Sequence, residues 1–122
     1  MNARGAHVYL AAMRNQQRKV IAMMKIEQVF VELKDAGQVR STDDFSREWL
    51  GMEDSYLRCI RAKDRSPSPR ALINCAVKLK RTGDALKSSS IAEVKAKGER
   101  MRTLARDCVG QVFGDDLQDW IV

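Results

Sequence analysis

Apolar positions along the chain recur at steps of three and four, the period of helices buried on one face. From Val8 to Ala36 there is no Gly or Pro, and Val20, Met23, Ile26 or Glu27, Phe30 and Leu33 share one stripe. This predicts a long helix over 8–36, with Gly37 as its left-handed cap and residues 1–7 frayed. Ser41-Thr42-Asp43-Asp44 brings side-chain acceptors and negative charge to a helix start, predicting a short helix from Asp43 to Leu50 that stops at Gly51. Met52-Glu53-Asp54 then restarts a helix that reaches Ala62, turning Tyr56, Leu57 and Ile60 inward or sideways and Arg58 and Arg61 outward. Ser66-Pro67-Ser68-Pro69 is the clearest punctuation: Ser68 suits an N-cap, and Pro69 a first helical turn where its missing N–H costs nothing. The helix that follows is expected to run to about Arg81, burying Leu72, Ala76 and Leu79 with Ile73 and Cys75 flanking, and to end at Thr82-Gly83-Asp84. The fold class is all-α.

A final helix is predicted from about Ser89 to Phe113, opened by a capping box of Ser90 and Glu93. Its apolar register is heptad-like: Ile91, Val94, Gly98, Met101, Ala105, Cys108 and Val112. Small residues at Gly98 and Ala105 permit close approach, either by a partner chain or by the chain's own helices. The expectation is a homodimer built on this seam, with the helix over 8–25 packed beside it. The tail keeps Leu117, Trp120 and Ile121, which suit docking on an apolar patch. The organisation expected is a helical arm over 1–25, a compact domain over 26–82, and a C-terminal helix with an acidic tail over 88–122.

The middle of the chain carries the most specific pattern. Two short helices joined through a glycine present one helix outward from a compact base, and Gly51 tolerates the positive φ such a turn needs. Leu50-Gly51, Tyr56-Leu57-x-x-Ile60, Arg65-Ser66-Pro67-Ser68 and Leu72-x-x-x-Ala76-x-x-Leu79 follow in order. This order resembles the helix-turn-helix of lambda-repressor-like (Cro and repressor type) DNA-binding domains, over roughly residues 26–80. The resemblance implies a helix-turn-helix core with long flanking helices and a recognition helix from Glu53 to Ala62. It implies base-edge reading in double-stranded DNA by Asp54, Ser55, Tyr56 and Arg58. It implies phosphate contacts from Ser41, Thr42, Arg47, Arg61, Lys63, Arg65 and Arg70. Two features depart from the family pattern. Glu53 and Asp54 place carboxylates at the start of the recognition helix, where they repel phosphates, and Trp49 stands where a small residue is usual and is read as packing. The function expected is a sequence-specific DNA-binding transcriptional regulator. The runner-up is a protein-interaction module on the same fold, of antitoxin-like or anti-activator kind.

Charge sharpens this picture. The net charge of +6 is unevenly spread: residues 1–25 hold five basic groups and no acid, residues 26–66 seven basic and nine acidic groups. Residues 67–106 hold ten basic and three acidic groups, and residues 107–122 only acids, at Asp107, Asp115, Asp116 and Asp119. Such a basic chain has the electrostatic footprint of a nucleic-acid binder. The 44% apolar and 31% charged content matches ordinary globular usage, so no disordered or repetitive class applies. The richest apolar run, Val20 to Met24, is far short of a membrane span, and no leader pattern opens the sequence. Cys59, Cys75 and Cys108 are odd in number, far apart and outside any CxxC, which argues against a disulfide framework or structural zinc and for a reducing cytoplasm. Cys59 and Cys75 read as small core residues. His7 stands apart from other metal-binding side chains, the glycines form no phosphate loop, and the carboxylate pairs read as caps. Neither a cofactor, nor a metal, nor an enzymatic activity is expected.

Overall fold

The computed structural model describes residues 3–113, with side chains at 14 and 16–113. It holds five helices and, among the described residues, no strand: α1 (Ala3–Asp35), α2 (Thr42–Glu48), α3 (Tyr56–Ala62), α4 (Pro69–Lys87) and α5 (Ala92–Phe113). The architecture is all-α. None of these helices is long and apolar enough to cross a membrane.

The ends of the helices follow the local chemistry of the chain. α1 stops in a Schellman motif: Gly37 takes φ +74°, its N–H donates to the Lys34 carbonyl, and Gln38 N–H donates to the Leu33 carbonyl. Ser41 caps α2 by accepting the Asp44 N–H at 3.1 Å, while the Asp44 carboxylate reaches back to the Arg40 N–H at 3.1 Å. Ser68 caps α4 through the Ala71 N–H, with Pro69 in the first turn.

One core runs through the whole described chain. From α1 it takes Ala22, Ile26, Val29, Phe30 and Leu33; from α2 and the turn after it, Phe45, Trp49 and Leu50; from α3, Leu57 and Ile60. α4 contributes Ala71, Leu72, Cys75, Ala76 and Leu79, and α5 contributes Met101, Leu104, Ala105, Cys108 and Val109. Phe30 and Phe45 meet with ring centroids 5.4 Å apart in a tilted pair, joining α1 to α2.

Several expectations are corrected. The arm over 1–25 and the first helix of the middle unit are one continuous α1, helical from Ala3, because no residue between Val8 and Ala36 interrupts it. Its inward stripe passes through Ala22 and Val29, and Val20 points to solvent at 51% exposure. α3 begins at Tyr56, and Glu53 to Ser55 form the turn before it. α4 does not end at Gly83 but runs four residues further, with Gly83 buried inside it. α5 begins at Ala92, where Ile91 supplies the first helical carbonyl to the Lys95 N–H and Ser89 Oγ accepts the Ile91 N–H, so the Ser90–Glu93 capping box does not frame it.

The largest correction concerns the seam of α5. Gly98, Met101, Ala105 and Cys108 are buried against the chain's own α4 and α1, and do not form an open dimer face. α4 and α5 run antiparallel as a helical hairpin whose backbones touch at two glycines. A Cβ on Gly98 would lie 2.6 Å from the Gly83 carbonyl oxygen and 2.6 Å from the Lys87 nitrogen. Nearer the other end, Cys75 and Cys108 are both buried, and the neighbouring Cys108 thiol together with burial pushes the Cys75 thiol well above its ordinary pKa. Of the remaining seam residues, Val94 and Val112 are half-buried and Ile91 is exposed. The tail with Leu117, Trp120 and Ile121 lies outside the described residues. α1 crosses α5 antiparallel, clamped by Arg100 to Glu32 at 2.7 and 2.9 Å and by Lys25 to Asp107 at 3.5 Å.

Two tests follow. Gly98→Ala should lower unfolding stability by about 1–3 kcal/mol in urea titration, because the added methyl meets backbone rather than a yielding side chain. The Arg100 hydrogen bond, outweighing burial, holds the Glu32 carboxyl below its ordinary value of 4.5. A carboxylate with a depressed folded pKa adds stability above its unfolded pKa and loses it as pH falls through the folded one. Stability measured at stepped pH should therefore fall below about pH 4.5, and Glu32→Gln should reduce that acid-induced loss.

Candidate functional site

The outward α2–α3 surface depends on a buried hydroxyl. Ser46 is fully buried; its Oγ donates to the Thr42 carbonyl at 2.9 Å and accepts the Leu57 N–H at 3.1 Å. That second bond matters because Ser55, just before α3, makes no side-chain cap. α2 thus supplies an acceptor for an otherwise unmatched donor in the first turn of α3. The Ser46 carbonyl in turn accepts the Met52 N–H at 3.0 Å, fixing the turn between the helices.

α4 holds the other side of that turn. Gly51 sits at φ +63°, and a Cβ there would come within 2.6 Å of the Asn74 amide nitrogen. Asn74 Nδ2 donates to the Leu50 carbonyl at 3.0 Å, and Lys78 Nζ donates to the Glu48 carbonyl at 2.8 Å while lying 4.7 Å from the Trp49 ring centroid. Two side chains of α4 therefore satisfy carbonyls at the end of α2. Buried Trp49 serves packing, as its size suggests.

The far end of α3 is closed as firmly. Asp64 adopts φ +51°, with its N–H bonded to the Arg61 carbonyl and the Arg65 N–H bonded to the Ile60 carbonyl, a Schellman ending built without glycine. The Tyr56 hydroxyl accepts the Ser68 N–H at 2.9 Å and also meets Ser68 Oγ at 3.4 Å. Tyr56 thereby ties the first turn of α3 to the start of α4. Cys59, expected inward, is exposed on α3, because the buried positions of this short helix are Leu57 and Ile60.

The structure divides the sequence-predicted contact residues into two groups. Arg58 is held by Asp43 in a two-pronged pair at 2.8 and 3.2 Å. Arg61 is held by Glu27 of α1 at 2.6 Å on both prongs, and lies 5.7 Å from the Phe30 ring centroid. Arg47 bridges Asp44, Glu48 and Asp54 at 3.2–3.3 Å. The acids that the sequence places beside these arginines are thus their partners. Ser41 and Thr42 lie at the start of α2, with Ser41 Oγ occupied as its cap, and half-buried Ser55 precedes α3. By contrast Lys63, Arg65 and Arg70 are exposed and make no ion pair with a described residue. Arg65 shares an open cleft of about 420 Å³ with Lys19 of α1 and with the exposed Asp64, so the edge beyond α3 carries two cations and one acid there.

Sequence reasoning missed Ser46, Asn74 and Lys78. Ser46 had a signal, since it stands four residues before buried Leu50 and so on the inward stripe of α2. Asn74 and Lys78 act across 24 and 30 residues, and no local pattern announces them. Among the described residues no group of three or more His, Cys, Asp or Glu side chains is placed to hold a metal ion.

This helical chain belongs to the DUF6626 family, a family of unknown function whose model matches residues 26–120. No curated protein and no solved structure matches it.

Ser46→Ala should cost about 1–3 kcal/mol in urea titration, because it leaves the Leu57 N–H buried and unpaired. Ser55→Ala should stay within about 0.5 kcal/mol of the native chain, since no side-chain cap is lost.

Proposed function

We propose that the protein is a helix-turn-helix DNA-binding regulator of lambda-repressor-like kind, with α3 as the helix offered to the major groove. The observation that carries this reading is the set of unpaired cations at one end of α3. Lys63 and Arg65 follow the helix directly, Arg70 opens α4, and Lys19 lies beside Arg65 across the cleft. Those groups form an edge suited to phosphates, whereas Arg47, Arg58 and Arg61 enter the interaction already paired. An exposed ion pair is weak in water, so Arg58 can exchange Asp43 for a base edge or a phosphate at little cost. Asp54, Ser55 and Tyr56 then serve mainly to shape the approach of α3, since the Tyr56 hydroxyl is engaged by Ser68.

The second reading, a protein-interaction module on the same fold, is favoured by one observation. The carboxylates of Asp43, Asp44, Glu48 and Asp54 neutralise the arginines over the middle of the α2–α3 surface.

Anisotropy titration of labelled duplex DNA separates the two. Binding should weaken as salt rises, and Lys63→Glu with Arg65→Glu should lower affinity by about tenfold or more. Asp43→Asn should raise affinity about two- to fivefold by freeing Arg58. No binding at low ionic strength, together with stoichiometric capture of one protein partner, would replace the DNA reading with the second.

A further inference from the structure

α1 has two apolar faces, and the body of the protein uses one. Its inward face runs through Ala22, Ile26, Val29 and Leu33, all buried. At 3.6 residues per turn, Val20, Met24 and Val31 fall together on the opposite side, and they are 51%, 64% and 52% exposed. In the sequence the same three-and-four step continues upstream through Gln17, Met13 and Leu10. Among the described side chains of α1, burial begins only at Ala22. The 33-residue helix is about 50 Å long, and its described side chains at 14 and 16–21 are all exposed. A helix in water gains most of its stability from a packed apolar face, and a stripe left open on so long a helix is an unused interface.

We infer that this outward stripe of α1 is a self-association surface, on which a second copy of the chain packs with its own α1 antiparallel. The charges along α1 select both the occupant and its direction. Residues 1–25 hold five basic groups and no acid, while residues 26–35 hold Glu27, Glu32 and Asp35 against Lys34. A parallel pairing stacks the basic halves on each other. An antiparallel pairing centred near residue 22 removes that stacking and turns Arg14 of one copy toward the Asp35 end of the other, where Glu27 and Glu32 are already held by Arg61 and Arg100 of their own chain. The same alignment places Val20 opposite Met24 and Gln17 opposite Glu27, and repeats each contact by the two-fold. Such an isologous interface needs only one self-complementary patch. It leaves the Gly83–Gly98 crossing untouched and does not depend on DNA binding, and Val20 borders the cleft that holds Lys19 and Arg65.

Light scattering on the full chain without DNA, at on the order of tens of micromolar, should give a mass twice that of one chain. Met24→Glu should return the mass of a single chain with unchanged helical circular dichroism. Ile91→Glu, at an exposed apolar residue outside the stripe, should leave the doubled mass intact. In a Cys59→Ser background, mixing Val20→Cys and Met24→Cys chains should give oxidative cross-links between unlike chains, with few between like ones. A single-chain mass for the native protein overturns the inference, as it would if residues 114–122 of the same chain covered the stripe. A doubled mass that survives Met24→Glu overturns it in favour of another face, and cross-linking between like positions overturns the antiparallel arrangement.

Discussion

A helix of seven residues fixes too few hydrogen bonds to persist in water, because nucleating its first turn costs more than its own bonds return. α3 is that helix, and much of the surrounding structure answers its need. Ser46 lends it an acceptor from α2, and Tyr56 fastens its first turn to Ser68. Leu57 and Ile60 drive one face into the core, and a Schellman motif closes its last turn. α2 has the same length and a similar dependence, its final carbonyls being met by Asn74 and Lys78 of α4. The outward surface is therefore rigid because it is supported from behind, by groups that never face solvent together.

Electrostatics divide that surface in a way the net charge of +6 conceals. Over α2 and the body of α3, acids and arginines cancel, Arg58 in a fork with Asp43 and Arg47 by single contacts to Asp44, Glu48 and Asp54. Beyond the end of α3, Lys63, Arg65 and Arg70 make no ion pair with a described residue, with one exposed acid, Asp64, among them. Any polyanion approaching the surface would meet a neutral centre and a positive margin. The margin would supply attraction, and the centre would supply contacts only after its internal pairs are exchanged.

Local chemistry was legible in the chain wherever it was strictly local. The Ser41 and Ser68 caps, the Gly37 ending, the Gly51 turn and the inward faces of Leu57, Ile60, Leu72, Ala76 and Leu79 all stand as their spacing indicates. The misreadings share one cause, a tertiary contact overriding a local signal. Gly83 reads as a helix breaker, yet the α4–α5 crossing requires it in mid-helix, where only a residue without a side chain fits against Gly98. The α5 register was recognised as a seam, but periodicity cannot name the opposite surface, and that surface proved to be α4. Val20 matched the period of the inward stripe because α1 carries apolar residues on both sides. The pairings of Arg58, Arg61 and Arg100 span 15, 34 and 68 residues, distances over which sequence order says nothing about contact.

The antiparallel hairpin of α4 and α5 also grades the entropy of closing this chain. Gly83 meets Gly98 across a short loop, whereas Arg100 reaches back 68 residues to Glu32. Loop closure scales with the logarithm of length, so the second closure restricts the unfolded chain by about 1.3 kcal/mol more than the first. Seating α1 on the body is thus the entropically costliest step in completing the core. The burial of Ile26, Val29, Phe30 and Leu33 is what offsets it.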